Sequence, residues 1–228
     1  MSLLGVDIGT TGCKAAAFSE EGVCLAHAYR EYGIQHPGPG LAELDSREVW
    51  RKTQEVLREV AAATRRDPIT ALSTSSLAEA GVLVTHDRQI LGNSILFSDA
   101  RGEEYIEALL KVFSRESFYE INRNLPGPNY SLPKLLWLRD HQTDLYQKAD
   151  RFLLWADALE FLLGCEPTAS HSLASRTLLF DLRKEDWSEE LLAWSGIGRE
   201  KLGRSCPAAP SSARCPTRRR ANSACRPG

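Results

Sequence analysis

The chain has 228 residues, 43% hydrophobic and 25% charged, enough for one sizeable core or two small ones. Its net charge is −2, but six Arg and no Lys, Asp or Glu lie from Arg204 onward, so residues 1–203 carry −8 and residues 204–228 carry +6. An acidic body argues against nucleic-acid binding, and no apolar run approaches the roughly 18 residues of a membrane span.

The N-terminus, Met1-Ser2-Leu3-Leu4-Gly5-Val6-Asp7, lacks the basic-then-apolar layout of a signal peptide. Cys13, Cys24, Cys165, Cys206, Cys215 and Cys225 show no C-x-x-C spacing, so they read as reduced thiols rather than metal or redox centres. A cytoplasmic protein is expected.

In chain order, the apolar run 3–8 predicts a strand that ends in Asp7-Ile8-Gly9-Thr10-Thr11-Gly12. Strands over 13–18 and 23–32, separated by Glu20-Glu21-Gly22, complete an antiparallel meander. Asp45-Ser46 caps a helix in which Val49, Thr53, Val56, Leu57, Val60 and Thr64 recur at helical spacing, stopped by Asp67-Pro68. Strands follow over 69–73, 81–84 and 95–97, then helices over 102–111 and 132–140. A strand over 151–154, a helix over 155–163 and a last helix over 186–194 close the pattern. Three antiparallel strands followed by alternating strands and helices predict an α/β domain with a mixed sheet flanked by helices.

After Leu202 the apolar period stops, and Pro, Ala, Ser, Arg and Cys dominate. Residues 204–228 are expected to form a disordered basic tail. The division expected is thus a domain over 1–203 and a tail over 204–228.

The motif that carries chemistry is Gly5-Val6-Asp7-Ile8-Gly9-Thr10-Thr11-Gly12-Cys13-Lys14. A strand end delivers Asp7 to a cleft edge, where one carboxylate can hold hydrated Mg²⁺. Gly9 and Gly12 let the turn bend so that backbone N–H groups and the Thr10 and Thr11 hydroxyls face phosphate oxygens. Lys14 adds positive charge where a transferred phosphoryl group develops negative charge. The turn is not a Walker loop, because the GxxxxGK[ST] spacing is absent and a strand follows.

Further segments narrow the class. Leu44-Asp45-Ser46-Arg47-Glu48-Val49-Trp50, Ile95-Leu96-Phe97-Ser98-Asp99-Ala100-Arg101, Tyr130-Ser131-Leu132-Pro133-Lys134-Leu135-Leu136-Trp137-Leu138 and Ala174-Ser175-Arg176-Thr177-Leu178-Leu179-Phe180-Asp181 occur in that order. With the Asp7 turn they resemble the N-terminal domain of FGGY-family carbohydrate kinases over residues 1–202. Phe97 stands where that family usually has Trp.

The resemblance implies a ribonuclease-H-like (actin-like ATPase) fold, ATP and Mg²⁺ as cofactors, and a small-molecule sugar or polyol as substrate. It assigns Asp7, Gly9, Thr10, Thr11, Gly12 and Lys14 to phosphate and Asp7 to the metal. It assigns Glu79, Phe97, Asn129 and Tyr130 to the sugar. Asp99 and Arg101 either position the substrate or brace their loop, and Glu79 is either a hydroxyl acceptor or a solvated turn acid. Ala78 stands where polyol-specific relatives carry Arg, which counts against a glycerol-type substrate.

The family's general-base Asp falls beyond residue 228, so the chain alone is expected to be inactive. A codon choice for the tail exists whose neighbouring frame continues the family pattern, so residues 204–228 are expected to be out of frame. The competing reading is a non-catalytic sugar-binding or interaction module.

Overall fold

A computed structural model of the protein describes residues 1–207. Strands β1 (Ser2–Ile8), β2 (Gly12–Ser19) and β3 (Cys24–Glu31) form the expected antiparallel meander. After the short β4 (Glu43–Leu44) and helix α1 (Ser46–Ala63), β5 (Ile69–Ser76) returns parallel to β1 and gives the sheet order β3-β2-β1-β5. The sheet is therefore mixed.

Alternation along β1 sends Leu4, Val6 and Ile8 into the core and leaves Asp7 on the other side. On β2, Ala15 and Ala17 bury against the same core, small enough for α1 to lie close, and α1 contributes Val49, Val56 and Val60. Asp45 starts that helix as read from sequence: its Oδ1 accepts the N–H groups of Arg47 and Glu48, each at 3.0 Å. Such a cap contributes about 1 kcal/mol. On the side away from α1, Leu3 and Phe18 face each other across the β1–β2 ladder and remain exposed.

Next come β6 (Gly81–Val84), β7 (Ile90–Leu91) and β8 (Ser94–Ile95), then α2 (Glu103–Val112), α3 (Arg115–Asn122), α4 (Ser131–His141) and α5 (Thr143–Lys148). β9 (Arg151–Leu154) and α6 (Trp155–Leu162) follow, and β9 and β7 flank β6 in a second sheet. All four residues of β6 are buried because two cores meet there. Val82 and Val84 join the first core, while Leu83 joins a second built from α2, α3, α4 and the C-terminal segments. A strand buried on both faces reads as a continuous apolar run, which Gly81-Val82-Leu83-Val84 is.

The last segments are β10 (Thr168–Ser170), α7 (His171–Ala174), β11 (Phe180–Asp181), β12 (Asp186–Trp187), α8 (Glu189–Ser195) and β13 (Arg204–Cys206). Several expectations change here. The helix over 186–194 loses its start: Asp186 and Trp187 pair with Asp181 and Phe180, and Ser188 then caps α8. The strand over 95–97 shrinks to β8, whose only strand partner among the described residues is the two-residue β4, and leaves Phe97 outside it. The polar helices α3 and α5 were not expected. β13 lies inside the segment read as a tail and pairs with β10 in parallel, and residues 208–228 of that segment lie outside the described residues.

Among the described residues no helix is long and apolar enough to cross a membrane.

Candidate functional site

The C-terminal ends of the parallel strands β1 and β5 lie side by side, with Ile8 opposite Ser76. Ligand sites of α/β sheets open at this kind of edge. The segment leaving β1 is the Gly9–Gly12 turn, and the segment leaving β5 is the loop that carries Glu79. The two are stitched together where Leu77 N–H donates to Ile8 O at 2.8 Å. Parallel pairing of β1 and β5 thus brings residues 70 positions apart to one edge.

The turn is closed by Gly9 N–H donating to Gly12 O at 2.9 Å. Tyr32, at the end of the meander, pins it from behind: its N–H donates to Thr11 O at 3.1 Å and its hydroxyl to Gly9 O at 2.7 Å. Burial, with Cys13 and Asp7 nearby, pushes the Tyr32 phenol well above its ordinary range, so it stays a donor. A side chain at Gly12 would place its Cβ 2.5 Å from the Tyr29 hydroxyl and 2.7 Å from Arg30 O, so only glycine fits.

The N–H groups and hydroxyls of Thr10 and Thr11 have no partner among the described residues, and both residues reach solvent. Asp7 and Lys14 face each other across the ladder, with Lys14 Nζ 3.1 Å from Asp7 Oδ2 and side chains 31% and 67% exposed. One accessible carboxylate beside unpartnered N–H groups suits a cation that keeps most of its water and takes phosphate oxygens as its other ligands. Among the described residues no cluster of three His, Cys, Asp or Glu forms a cage for a metal.

On the other side of the edge, Glu79 is only 14% exposed along its side chain. Its Oε1 accepts from Arg176 Nε at 2.9 Å and also from Arg176 Nη2, while its main-chain oxygen accepts from Ser131 Oγ at 2.7 Å. Tyr130 is buried beneath the Arg176 guanidinium, 4.6 Å from its ring centroid, and its hydroxyl donates to Asn124 Oδ1 at 3.3 Å. Asn129 precedes it in the turn closed by Tyr130 N–H on Gly127 O. Phe97 is 49% exposed and has no ring partner among the described residues.

Asp99 and Arg101 resolve differently. The Asp99 side chain has no exposed surface, and its oxygens accept from Arg101 Nε (2.8 Å), Arg101 Nη2 (2.6 Å), Arg101 N–H (2.9 Å) and Ala42 N–H (2.6 Å). Burial alone would raise this carboxyl, but the Arg101 hydrogen bonds and the two main-chain donors outweigh it and hold it below the usual carboxylate range. Arg101 also pairs with Glu43 at 2.6 Å and lies over Trp137.

Lys134 completes the brace by donating to Asp99 O and to Arg101 O, and burial lowers its ammonium to about 8. Asp99 and Arg101 therefore hold the loop that ends β8; Asp99 presents no acceptor to a ligand. Alongside this brace an open groove of about 670 Å³ runs past the C-terminal end of α4, where Glu43 and Arg101 are already paired. It lies at the far end of α4 from Tyr130 and Ser131.

Arg176, Asn124 and Tyr32 join the site without having been singled out in the sequence. Arg176 stands within the Ala174–Asp181 segment quoted above, but no local signal shows that it reaches Glu79, 97 positions away.

A meander opening on this turn, a parallel strand beside it and flanking helices define a ribonuclease-H-like, actin-like ATPase domain. The chain belongs to the FGGY family of carbohydrate kinases, whose N-terminal domain matches residues 2–223. It is 28% identical to a xylulose kinase of Klebsiella pneumoniae over 199 residues, covering 87% of this chain and 41% of that protein. It is 32% identical to a glycerol kinase of Bordetella pertussis over 222 residues, covering 93% and 43%.

The solved xylulose kinase of Rhodospirillum rubrum shares the fold, with a TM-score of 0.83 at 22% identity, covering 91% of this chain and 43% of that one. The chain thus spans about two fifths of the length of the relatives it matches.

Proposed function

We propose that this chain is the first lobe of an ATP-dependent carbohydrate kinase that phosphorylates a hydroxyl of a sugar or polyol. The observation that carries the reading is the shared edge: unpartnered Thr10 and Thr11 donors on one segment, the Glu79 carboxylate on the next, stitched at Leu77.

In this reading Thr10, Thr11 and the turn amides hold phosphate oxygens, with Gly9 and Gly12 giving the turn its shape. Lys14 supplies positive charge beside them, and Asp7 holds Mg²⁺ through water. ATP with Mg²⁺ supplies the transferable phosphoryl group. Glu79 accepts a substrate hydroxyl, Phe97 packs on the carbon face, and Asn129 and Tyr130 border the same space. Phosphoryl transfer depends on positioning and electrostatics from both lobes. The relatives are more than twice as long, and residues 1–228 alone are expected to bind without turning over. The cytoplasm is the proposed compartment, in keeping with Cys13, Cys24 and Cys206 as free thiols.

The test is titration of the 228-residue chain with ATP·Mg²⁺, followed by phosphoryl-transfer assays on pentuloses, hexoses and polyols. Binding of ATP·Mg²⁺ that falls at least tenfold in a Thr10→Ala, Thr11→Ala double variant is expected. Sugar binding with no nucleotide binding would favour a binding module instead. Turnover by the chain alone would refute its expected inactivity.

A further inference from the structure

Each of the three guanidinium nitrogens of Arg176 donates one hydrogen bond within the protein. Nε and Nη2 both donate to Glu79 Oε1, and Nη1 donates to Asn124 Oδ1 at 3.1 Å. Asn124 is held in turn: its Nδ2 donates to Asn122 Oδ1 at 2.8 Å and to Ser175 O at 3.2 Å. Asn122 is fully buried and donates to Phe180 O at 2.9 Å. A chain of hydrogen bonds thus runs from the second core to the Glu79 carboxylate.

Because both Arg176 donors take the same oxygen, Glu79 Oε2 has no partner among the described residues. No fully buried side-chain polar atom among them is left unpaired, so Oε2 opens to solvent. The element therefore offers a ligand one fixed anionic acceptor, while its cation is paired with the other oxygen of the same carboxylate. A hydroxyl can donate to that oxygen with charge-assisted strength. A ligand carboxylate meets like charge at that oxygen, and the charge of Arg176 is already compensated by Glu79.

We propose that the Glu79–Arg176 pair is a charge-compensated specificity element, with Arg176 as a positioning residue that aims Glu79 and selects neutral polyhydroxy ligands over sugar acids. This rests on the reading of the Glu79 side as the sugar site, and goes beyond it by naming the ligand charge and the residue that sets it.

Isothermal titration of the 228-residue chain, without nucleotide, with D-xylulose, glycerol and D-gluconate tests it. The wild type is expected to bind at least one neutral ligand at least tenfold more tightly than gluconate. Arg176→Ala should weaken neutral binding at least tenfold, Arg176→Lys should fall between, and added guanidinium ion should restore part of the loss in Arg176→Ala. A purely structural role would not give that rescue.

Glu79→Gln keeps the side-chain shape and frees the guanidinium, so neutral binding should drop while gluconate binding rises at least threefold. If Arg176→Ala does not fold, this swap of preference alone decides the matter. Equal wild-type affinity for gluconate, neutral binding within twofold of wild type in Arg176→Ala, or no gluconate gain in Glu79→Gln would each overturn the inference. Absence of binding to all three ligands would overturn it together with the sugar-site reading. Neutral binding without any phosphoryl transfer in a reconstituted two-lobe enzyme would sink only the kinase reading.

Discussion

Two acid–base pairs in this chain meet opposite fates. Asp7 and Lys14 sit 3.1 Å apart on the sheet face away from α1, with side chains 31% and 67% exposed. Asp99 and Arg101 sit 2.6 Å apart with side chains 0% and 8% exposed, roofed by Ala42 and Lys134. An open pair adds little stability and can exchange its partner for a ligand, whereas a sealed pair is costly to break and fixes a shape. Charge motifs in a sequence therefore announce importance, and burial decides whether it is chemistry or architecture.

The comparison can be broken most forcefully at the sealed pair. Asp99→Ala orphans the Ala42 N–H and leaves the buried Arg101 guanidinium with Glu43 as its remaining carboxylate, and breaking a buried pair costs up to about 3–5 kcal/mol. Urea denaturation checks this, and a loss below about 1 kcal/mol would make the two motifs energetically alike. Next is Gly12→Ala, whose Cβ would meet the Tyr29 hydroxyl and Arg30 O at 2.5 and 2.7 Å. Crowding of that kind costs about 1–3 kcal/mol. Thermal melts should show it, together with weaker ATP binding.

Smaller effects come from pH. Burial pushes the Asp157 carboxyl up from 3.8 to about 7, even though it accepts the Ser170 N–H at 3.2 Å. The folded state then holds the extra proton, so this group's contribution is present below 3.8 and lost as pH rises through about 7. Asp157→Asn should flatten that slope and unfold at higher urea than wild type at pH 8.

Lys134 has the opposite sign. Burial lowers it from 10.5 to about 8, so the unfolded chain holds the extra proton and stability grows between those values. Lys134→Met should lose that rise in denaturation series from pH 7.5 to 10. The smallest stability change belongs to the open pair: Lys14→Ala should alter unfolding by less than about 1 kcal/mol, while ATP·Mg²⁺ affinity falls at least tenfold. A large melting shift with unchanged affinity would reassign Lys14 to architecture.

Much of the first half was legible because its signals are local. Alternation in β1 and β2, the Asp45 cap and the valine stripe of α1 each act within a few residues. The second half was harder. α3 has a largely polar sequence and is held by Phe118 in a core assembled from distant segments. Trp187 has neighbours that favour a helix, but pairing with β11 and a hydrogen bond to Gly203 O at 2.9 Å pull it into a strand. Phe97 follows apolar residues that read as a strand, yet β4, the partner of β8, is two residues long and cannot extend the ladder to it.

By itself the sequence determined the meander, the glycine turn with Asp7 and Lys14 at facing positions, and the family, since each depends on residues adjacent in the chain or on motifs in order. Only the tertiary structure decided which charges are spent and which are available. Glu79 meets Arg176 97 positions away and Asp99 meets Ala42 57 positions away, and no local pattern encodes the burial that turns the first into an aimed acceptor and the second into a brace.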